Sequence, residues 1–238
     1  TVLVTGDSMQ IWGDLPGSDL VSTGDSKLRA VAAGHDAIWL VDSDGAVSRM
    51  PLRLTHHRSM LMETDPGITI LEITPSISGT AYLPEHLVLL LSDGSLWARY
   101  TGAEADSTEW VQLEGLDGVT AIAAADTQLA VVQDGALAMV SLAPGESKPL
   151  DYWQFEGLKG ISALSVSDRI WVVIDGRLAH LEINVSDEGL PVNRAAARAI
   201  SVSDEGLPSD KKPQRIAAGE GFMLVLYDDG TVMAAELH

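Results

Sequence analysis

Asp-Gly between two short apolar runs occurs five times in this chain, at Asp44-Gly45, Asp93-Gly94, Asp134-Gly135, Asp175-Gly176 and Asp229-Gly230. The runs leading into these pairs cover residues 37–41, 87–91, 129–132, 170–174 and 223–226. A type I′ turn needs positive φ at both central residues, which Asp-Gly tolerates, so each pair predicts a tight hairpin. A sixth hairpin is expected at the start, where Val2-Leu3-Val4 and Gln10-Ile11-Trp12 flank Gly6-Asp7-Ser8. The pairs recur at intervals of roughly 40 to 55 residues, the length of one propeller blade. The expected fold is all-β: a single β-propeller domain over residues 1–238 with about six repeat units. Strands supplied by a partner or by further chain would make it seven-bladed.

The repeat extends beyond its turns. A strand rich in small residues precedes most hairpins, at residues 28–34, 119–125, 161–166 and 215–219. Small side chains suit the innermost strand of a blade, where neighbouring blades crowd together, and the larger residues of the next strand fill the space between blades. The segment Trp110-Val111-Gln112-Leu113-Glu114-Gly115-Leu116-Asp117-Gly118 aligns with Tyr152-Trp153-Gln154-Phe155-Glu156-Gly157-Leu158-Lys159-Gly160. Each reads as an outer strand turning back toward the next inner one. The first hairpin has no inner strand before it and the last no outer strand after it, so the first and last units are expected to be incomplete. Residues 51–86, with Pro51, Pro66, Pro75 and Pro84, and residues 184–213 are expected to be irregular insertions.

Val31-Ala32-Ala33-Gly34-His35, the strand to Val41, Asp44-Gly45 and the Ile11-Trp12-Gly13-Asp14 hairpin exit together resemble the regulator of chromosome condensation (RCC1) repeat family. Trp-Gly occurs once, and the Gly-x-x-Gly-Gln-Leu-Gly loop of that family is absent. The units are also similar to tectonin-type lectin propellers, in which a Trp and a Gly-Leu precede the inner strand. The first resemblance implies a protein-binding propeller and the second a carbohydrate binder that stacks sugar rings on exposed aromatics.

Charge narrows the partner. The 34 acidic and 15 basic residues give a formal net charge of −19. A field of that sign repels phosphate backbones and anionic membranes, so neither nucleic acid nor membrane is expected. A basic protein surface fits better. The chain has no cysteine, which removes disulfides, thiolate zinc sites and cysteine nucleophiles and agrees with an intracellular compartment, cytoplasmic or nuclear. No apolar run reaches the roughly 20 residues a membrane-spanning helix needs.

Chemical motifs lead nowhere catalytic. Gly6-Asp7-Ser8 is similar to the nucleophile block of the GDSL hydrolases, but their Gly-x-Asn-Asp block and Asp-x-x-His pair are absent. A serine without a matching base is not activated, and a second copy at Gly24-Asp25-Ser26 marks the tripeptide as turn spelling. Asp42-Ser43-Asp44-Gly45 starts like a calcium loop but lacks the later ligands. His56 and His57 are adjacent, so on a strand they would face opposite ways. Asn184-Val185-Ser186 spells a glycosylation sequon, relevant only to a secreted chain. Trp39, Trp97 and Trp171 sit in hairpin strands and are expected in the core. The heptapeptide Val-Ser-Asp-Glu-Gly-Leu-Pro occurs twice, at 185–191 and 202–208, around the helix-friendly run 193–198, and reads as an acidic rim loop able to dock a partner. No catalytic residue, cofactor or metal ligand is expected; partner-binding residues stay unassigned. The expected role is a non-enzymatic interaction platform or complex subunit, with a tectonin-like lectin as the alternative.

Overall fold

The structure is a computed structural model. It describes the backbone of 2–5, 8–11, 21–22, 28–33, 37–42, 46–51 and 63–69, then 77–236 apart from 102–109, 126, 144–145, 156–157, 168, 183–197, 202–210 and 220–221; side chains are described for Leu40 and most of 78–235. Every regular element among these residues is a strand, and the strands form six antiparallel sheets. The first sheet contains β1 (Val2–Thr5), β2 (Ser8–Ile11) and β3 (Val21–Ser22). The second has β4 (Leu28–Ala33), β5 (Ala37–Asp42), β6 (Ala46–Pro51) and β7 (Glu63–Thr69). The third has β8 (Ile77–Leu83), β9 (His86–Leu91), β10 (Leu96–Tyr100) and β11 (Val111–Gln112). The fourth has β12 (Val119–Ala125), β13 (Gln128–Gln133), β14 (Ala136–Ser141) and β15 (Asp151–Gln154). The fifth has β16 (Ile161–Val166), β17 (Ile170–Ile174), β18 (Arg177–Glu182) and β19 (Arg198–Ser201). The sixth has β20 (Pro213–Gly219), β21 (Phe222–Tyr227) and β22 (Val232–Glu236). In every sheet the strand order is the chain order. No helix among the described residues is long and apolar enough to cross a membrane.

The chain divides into two compact units, Thr1–Leu113 with Pro144–Ser147, and Glu114–Ala143 with Lys148–His238. The hairpins predicted from Asp-Gly are present, and the small-residue segments supply their inner strands β4, β12, β16 and β20. One inner strand escaped the sequence reading. Residues 77–83, inside the segment expected to be irregular, form β8, and residues 63–69 form β7. The prolines around them masked a further small-residue strand, Ile77-Ser78-Gly79-Thr80-Ala81. In the other expected insertion, 184–213, residues 198–201 form β19.

All five inner strands share a β-bulge just after their start, between Leu28/Ala30, Ile77/Gly79, Val119/Ala121, Ile161/Ala163 and Pro213/Arg215. A bulge adds one unpaired residue and increases the local twist. In three of them the extra residue is hydroxylated and donates back to a carbonyl of the partner strand. Ser78 Oγ reaches Leu90 O at 3.2 Å, Thr120 Oγ1 reaches Val132 O at 3.4 Å and Ser162 Oγ reaches Val173 O at 3.4 Å.

In the second unit the core lies between stacked sheets. Ala130, Val132, Leu137 and Met139 from the fourth sheet meet Leu164, Ile170, Val172, Ala179 and Leu181 from the fifth. The opposite face of the fifth sheet, with Trp171 and Leu178, packs on Met223, Val225 and Tyr227 of the sixth. Strand alternation therefore sends one face to the preceding sheet and the other to the following one. In the first unit β9 is buried at all six positions, His86 followed by a continuous apolar run over 87–91 covered on both faces.

Candidate interaction surface

The Asp-Gly turns are of two kinds. Asp134 and Gly135 have φ of 52° and 73°, Asp175 and Gly176 have 50° and 72°, and each pair forms a two-residue loop between Gln133↔Ala136 and Ile174↔Arg177. These are the predicted type I′ turns. Asp93-Gly94 and Asp229-Gly230 differ, because only the glycine has positive φ, at 83° and 82°. There the Gly94 N–H donates to Leu91 O and the Gly230 N–H to Tyr227 O, both at 3.0 Å, which is a three-residue loop with a glycine bulge. Asp93 Oδ1 accepts the Ser95 N–H at 2.9 Å and the Ser95 hydroxyl at 2.7 Å. Asp229 Oδ1 likewise accepts the Thr231 N–H at 2.9 Å. The type I′ expectation is thus corrected at these two turns. A hydroxylated residue after the glycine, and a polar Ser92 or Asp228 before the aspartate, favour the longer Asx-closed loop. The Val41↔Val47 register repeats the spacing of Leu90↔Leu96 and Leu226↔Val232; Asp44 and Gly45 lie outside the described residues.

In the second unit the turns join into one row. The Ile161 N–H donates to Gly135 O at 3.0 Å, and the Asp175 N–H to Gly160 O at 3.3 Å. Lys212 passes beside Gly176, and its carbonyl accepts the Asp228 N–H at 3.0 Å. Exposed Asp117, Asp134, Asp175, Asp228 and Asp229 stand along this row with Lys159, Lys211 and Lys212. Lys211 Nζ pairs with Asp229 at 2.7 Å and donates to Thr231 Oγ1 at 2.9 Å. That hydrogen bond from Lys211, aided by Thr231, holds the Asp229 carboxyl well below the usual carboxylate range. Tyr152 lies across the same end, its hydroxyl donating to Gln133 Oε1 at 3.1 Å, while Gln133 Nε2 donates to Asp117 O at 2.8 Å. Desolvation, with the Asp134 charge second, pushes the Tyr152 phenol above its ordinary value.

The remaining sequence candidates are dispersed. Ser8 starts β2 opposite Thr5, a hairpin position, whereas Gly6 and Asp7 lie outside the described residues, as do His56, His57, Asn184 and both heptapeptides. Trp171 is 3% exposed, as expected for a core residue. Trp97 is half-buried, and nothing is described of the Trp39 side chain. The aligned segments do turn back as read: Leu113 and Phe155 are both buried, as are Leu116 and Leu158, and Gly118 and Gly160 follow at φ of 73° and 75°. The hydroxyl-closed bulges and the row of turns were missed; a Ser or Thr second in three of the five inner strands, at Ser78, Thr120 and Ser162, was the available signal. No group of three or more potential metal ligands occurs among the described residues.

Neither a protein-family model nor a curated protein sequence matches the chain. Solved structures do. Human WBSCR16 superposes with a TM-score of 0.58 at 13% identity over 89% of this chain and 62% of that one, so the chain spans less than two thirds of its length. Prp20p from Saccharomyces cerevisiae gives a TM-score of 0.58 at 13% identity over 97% and 68%. A chain in the crystal structure of a nidogen/laminin complex gives 0.62 at 11% identity over 99% and 88%. Identities this low speak for fold alone. The chain has a β-propeller fold, one it shares with yeast RCC1 (Prp20) among other propellers.

Proposed function

We propose that the chain is a non-enzymatic, RCC1-like platform that binds a protein partner within a larger assembly. The carrying observation is the row of exposed aspartates fixed at the turn ends of stacked sheets, in a chain of formal charge −19. Turns anchored on a rigid scaffold lose little freedom on binding, which favours recognition. Negative charge accelerates encounter with a basic surface and disfavours acidic ones. The printed description of Prp20p concerns its binding to Gsp1p and histones; histones are basic proteins, the class of partner that this charge selects.

The test is affinity purification of the tagged chain with mass spectrometry, followed by titration of the purified partner at low and high salt. Binding is expected to weaken as salt rises. A chain that retrieves no protein but binds a glycan array would overturn the platform reading in favour of a tectonin-like carbohydrate binder.

A further inference from the structure

Counting Asp117-Gly118, which stands outside the hairpins, the chain has six Asp-Gly pairs, and all but Asp44-Gly45 lie among the described residues. Such a pair is chemically weak, because the unhindered glycine nitrogen can attack the aspartate Cγ and close a five-membered ring. Closure needs that nitrogen eclipsed with Cβ, at an aspartate ψ of about −120°, which is the type II′ value. A type I′ turn becomes type II′ by turning over one peptide, the one between its two central residues. Asp134 and Asp175, both exposed, already have the positive φ that type II′ shares with type I′, at 52° and 50°. No hydrogen bond opposes the turnover there. Neither the carbonyl of these aspartates nor the N–H of Gly135 or Gly176 has a hydrogen-bond partner among the described residues. The strand pairs that close the two hairpins, Gln133↔Ala136 and Ile174↔Arg177, lie outside the peptide that turns. The other three pairs are held. The Gly94 and Gly230 nitrogens donate to Leu91 O and Tyr227 O at 3.0 Å, the bonds that close those turns. The Asp93 carboxylate is bonded to Ser95, and that of Asp229 to Thr231 and Lys211. The Asp117 carbonyl accepts Gln133 Nε2 at 2.8 Å, so turning that peptide would break a bond.

We propose that Asp134-Gly135 and Asp175-Gly176 are sites of spontaneous succinimide formation and isoaspartate conversion in the folded chain, while Asp93-Gly94, Asp117-Gly118 and Asp229-Gly230 are protected. The glycine nitrogen bonds to Cγ of the neutral aspartic acid, and the amide proton leaves with the carboxyl OH as water. Water then adds to either carbonyl of the ring. Opening at the side-chain carbonyl restores aspartate, and opening at the main-chain carbonyl gives isoaspartate, with the main chain now running through Cβ and Cγ. The water lost in closure is regained in opening, and no oxidant or other co-reactant takes part. Ionised carboxylates lack the leaving OH, so the bonds that hold Asp93 and Asp229 below the usual carboxylate range protect them further. Everything the reaction uses lies within one turn and the water around it, so it is independent of the platform reading. Its product keeps the charge but lengthens a two-residue loop by one methylene, which alters two turns of the acidic row.

Ageing the purified full chain in oxygen-18 water at neutral pH, well below its melting temperature, tests this. Each ring opening leaves one heavy oxygen on the residue, whether aspartate or isoaspartate results. Peptide mapping with electron-transfer fragmentation locates the label and tells the two products apart. A parallel sample aged in urea reports the same pairs without the fold. The expected result is label and isoaspartate at Asp134 and Asp175, with the three held pairs slower by roughly tenfold or more, the factor set by the hydrogen bonds they must first break. In urea the five pairs should react at similar rates. Equal rates at all five pairs in the folded chain overturn the proposal, since reaction would then pass through unfolding. Label at the held pairs ahead of Asp134 and Asp175, or none at these two while the urea sample reacts, overturns it as well.

Discussion

Single residues decide the two kinds of turn, and positive-φ glycines differ in what a side chain there would meet. A Cβ on Gly160 would meet Asp175 Oδ1 at 2.6 Å, whereas one on Gly115 would meet nothing within 4 Å, although both have positive φ, 75° and 77°. Gly160→Ala is therefore expected to destabilise more than Gly115→Ala. Both lose about 1 kcal/mol to backbone strain, and the clash adds less, about 0.5 kcal/mol, because Asp175 Oδ1 ends an exposed side chain that can rotate away. Adding Asp175→Gly, tolerated at φ of 50°, should recover the clash component in urea unfolding; equal losses at both glycines would contradict the assigned contact. Asp93 and Asp229 give a pH signature. Ser95 backbone and hydroxyl bonds lower Asp93, and Lys211 and Thr231 lower Asp229. A carboxyl lower in the folded than in the unfolded chain gives stability that is fully present above the unfolded value, about 3.9, and is lost as pH falls through the folded value. The melting temperature of Asp229→Asn should lie below wild type at pH 7, and the gap should narrow progressively as pH falls below about 3.9. High salt should shrink the gap, since both partners are partly exposed.

Between elements, burial outweighs the polar devices. The long Thr120 and Ser162 hydroxyl bonds, each 3.4 Å, belong at the weak end of the range; Thr120→Val or Ser162→Ala should cost about 0.5 kcal/mol. Leu137, fully buried between the fourth and fifth sheets, should cost about 2–5 kcal/mol when changed to Ala. Chemical denaturation of the two sets orders them, and a bulge variant as damaging as Leu137→Ala would mean the bulges, rather than sheet packing, hold the stack. Strands were legible where both signals agreed, as in 119–141, because Asp-Gly fixed the hairpin and small residues fixed the inner strand. They were not legible at 77–83, where flanking prolines suggest a loop while Ser78 and Gly79 sit at a bulge that tolerates them. Turn type was equally hidden in a dipeptide, since Ser95 and Thr231 select it by side-chain bonding from outside the Asp-Gly pair.

At the scale of the whole molecule, repetition made the propeller readable, because one unit cannot bury its faces alone and the chain must stack copies. Function was less readable for a related reason. The row of turns is assembled from residues far apart in sequence, such as Gly135 beside Ile161 and Lys212 beside Asp228, and no local pattern announces it. The same separation predicts how binding should respond to mutation. Charge on the row acts mainly on encounter, so Asp134→Asn with Asp175→Asn should slow association and flatten its salt dependence while leaving dissociation nearly unchanged. Stopped-flow or surface-based kinetics with the purified partner at two ionic strengths separates steering from direct contact. If the aspartate pair altered only dissociation, the row would be a direct contact surface and its proposed steering role would fall.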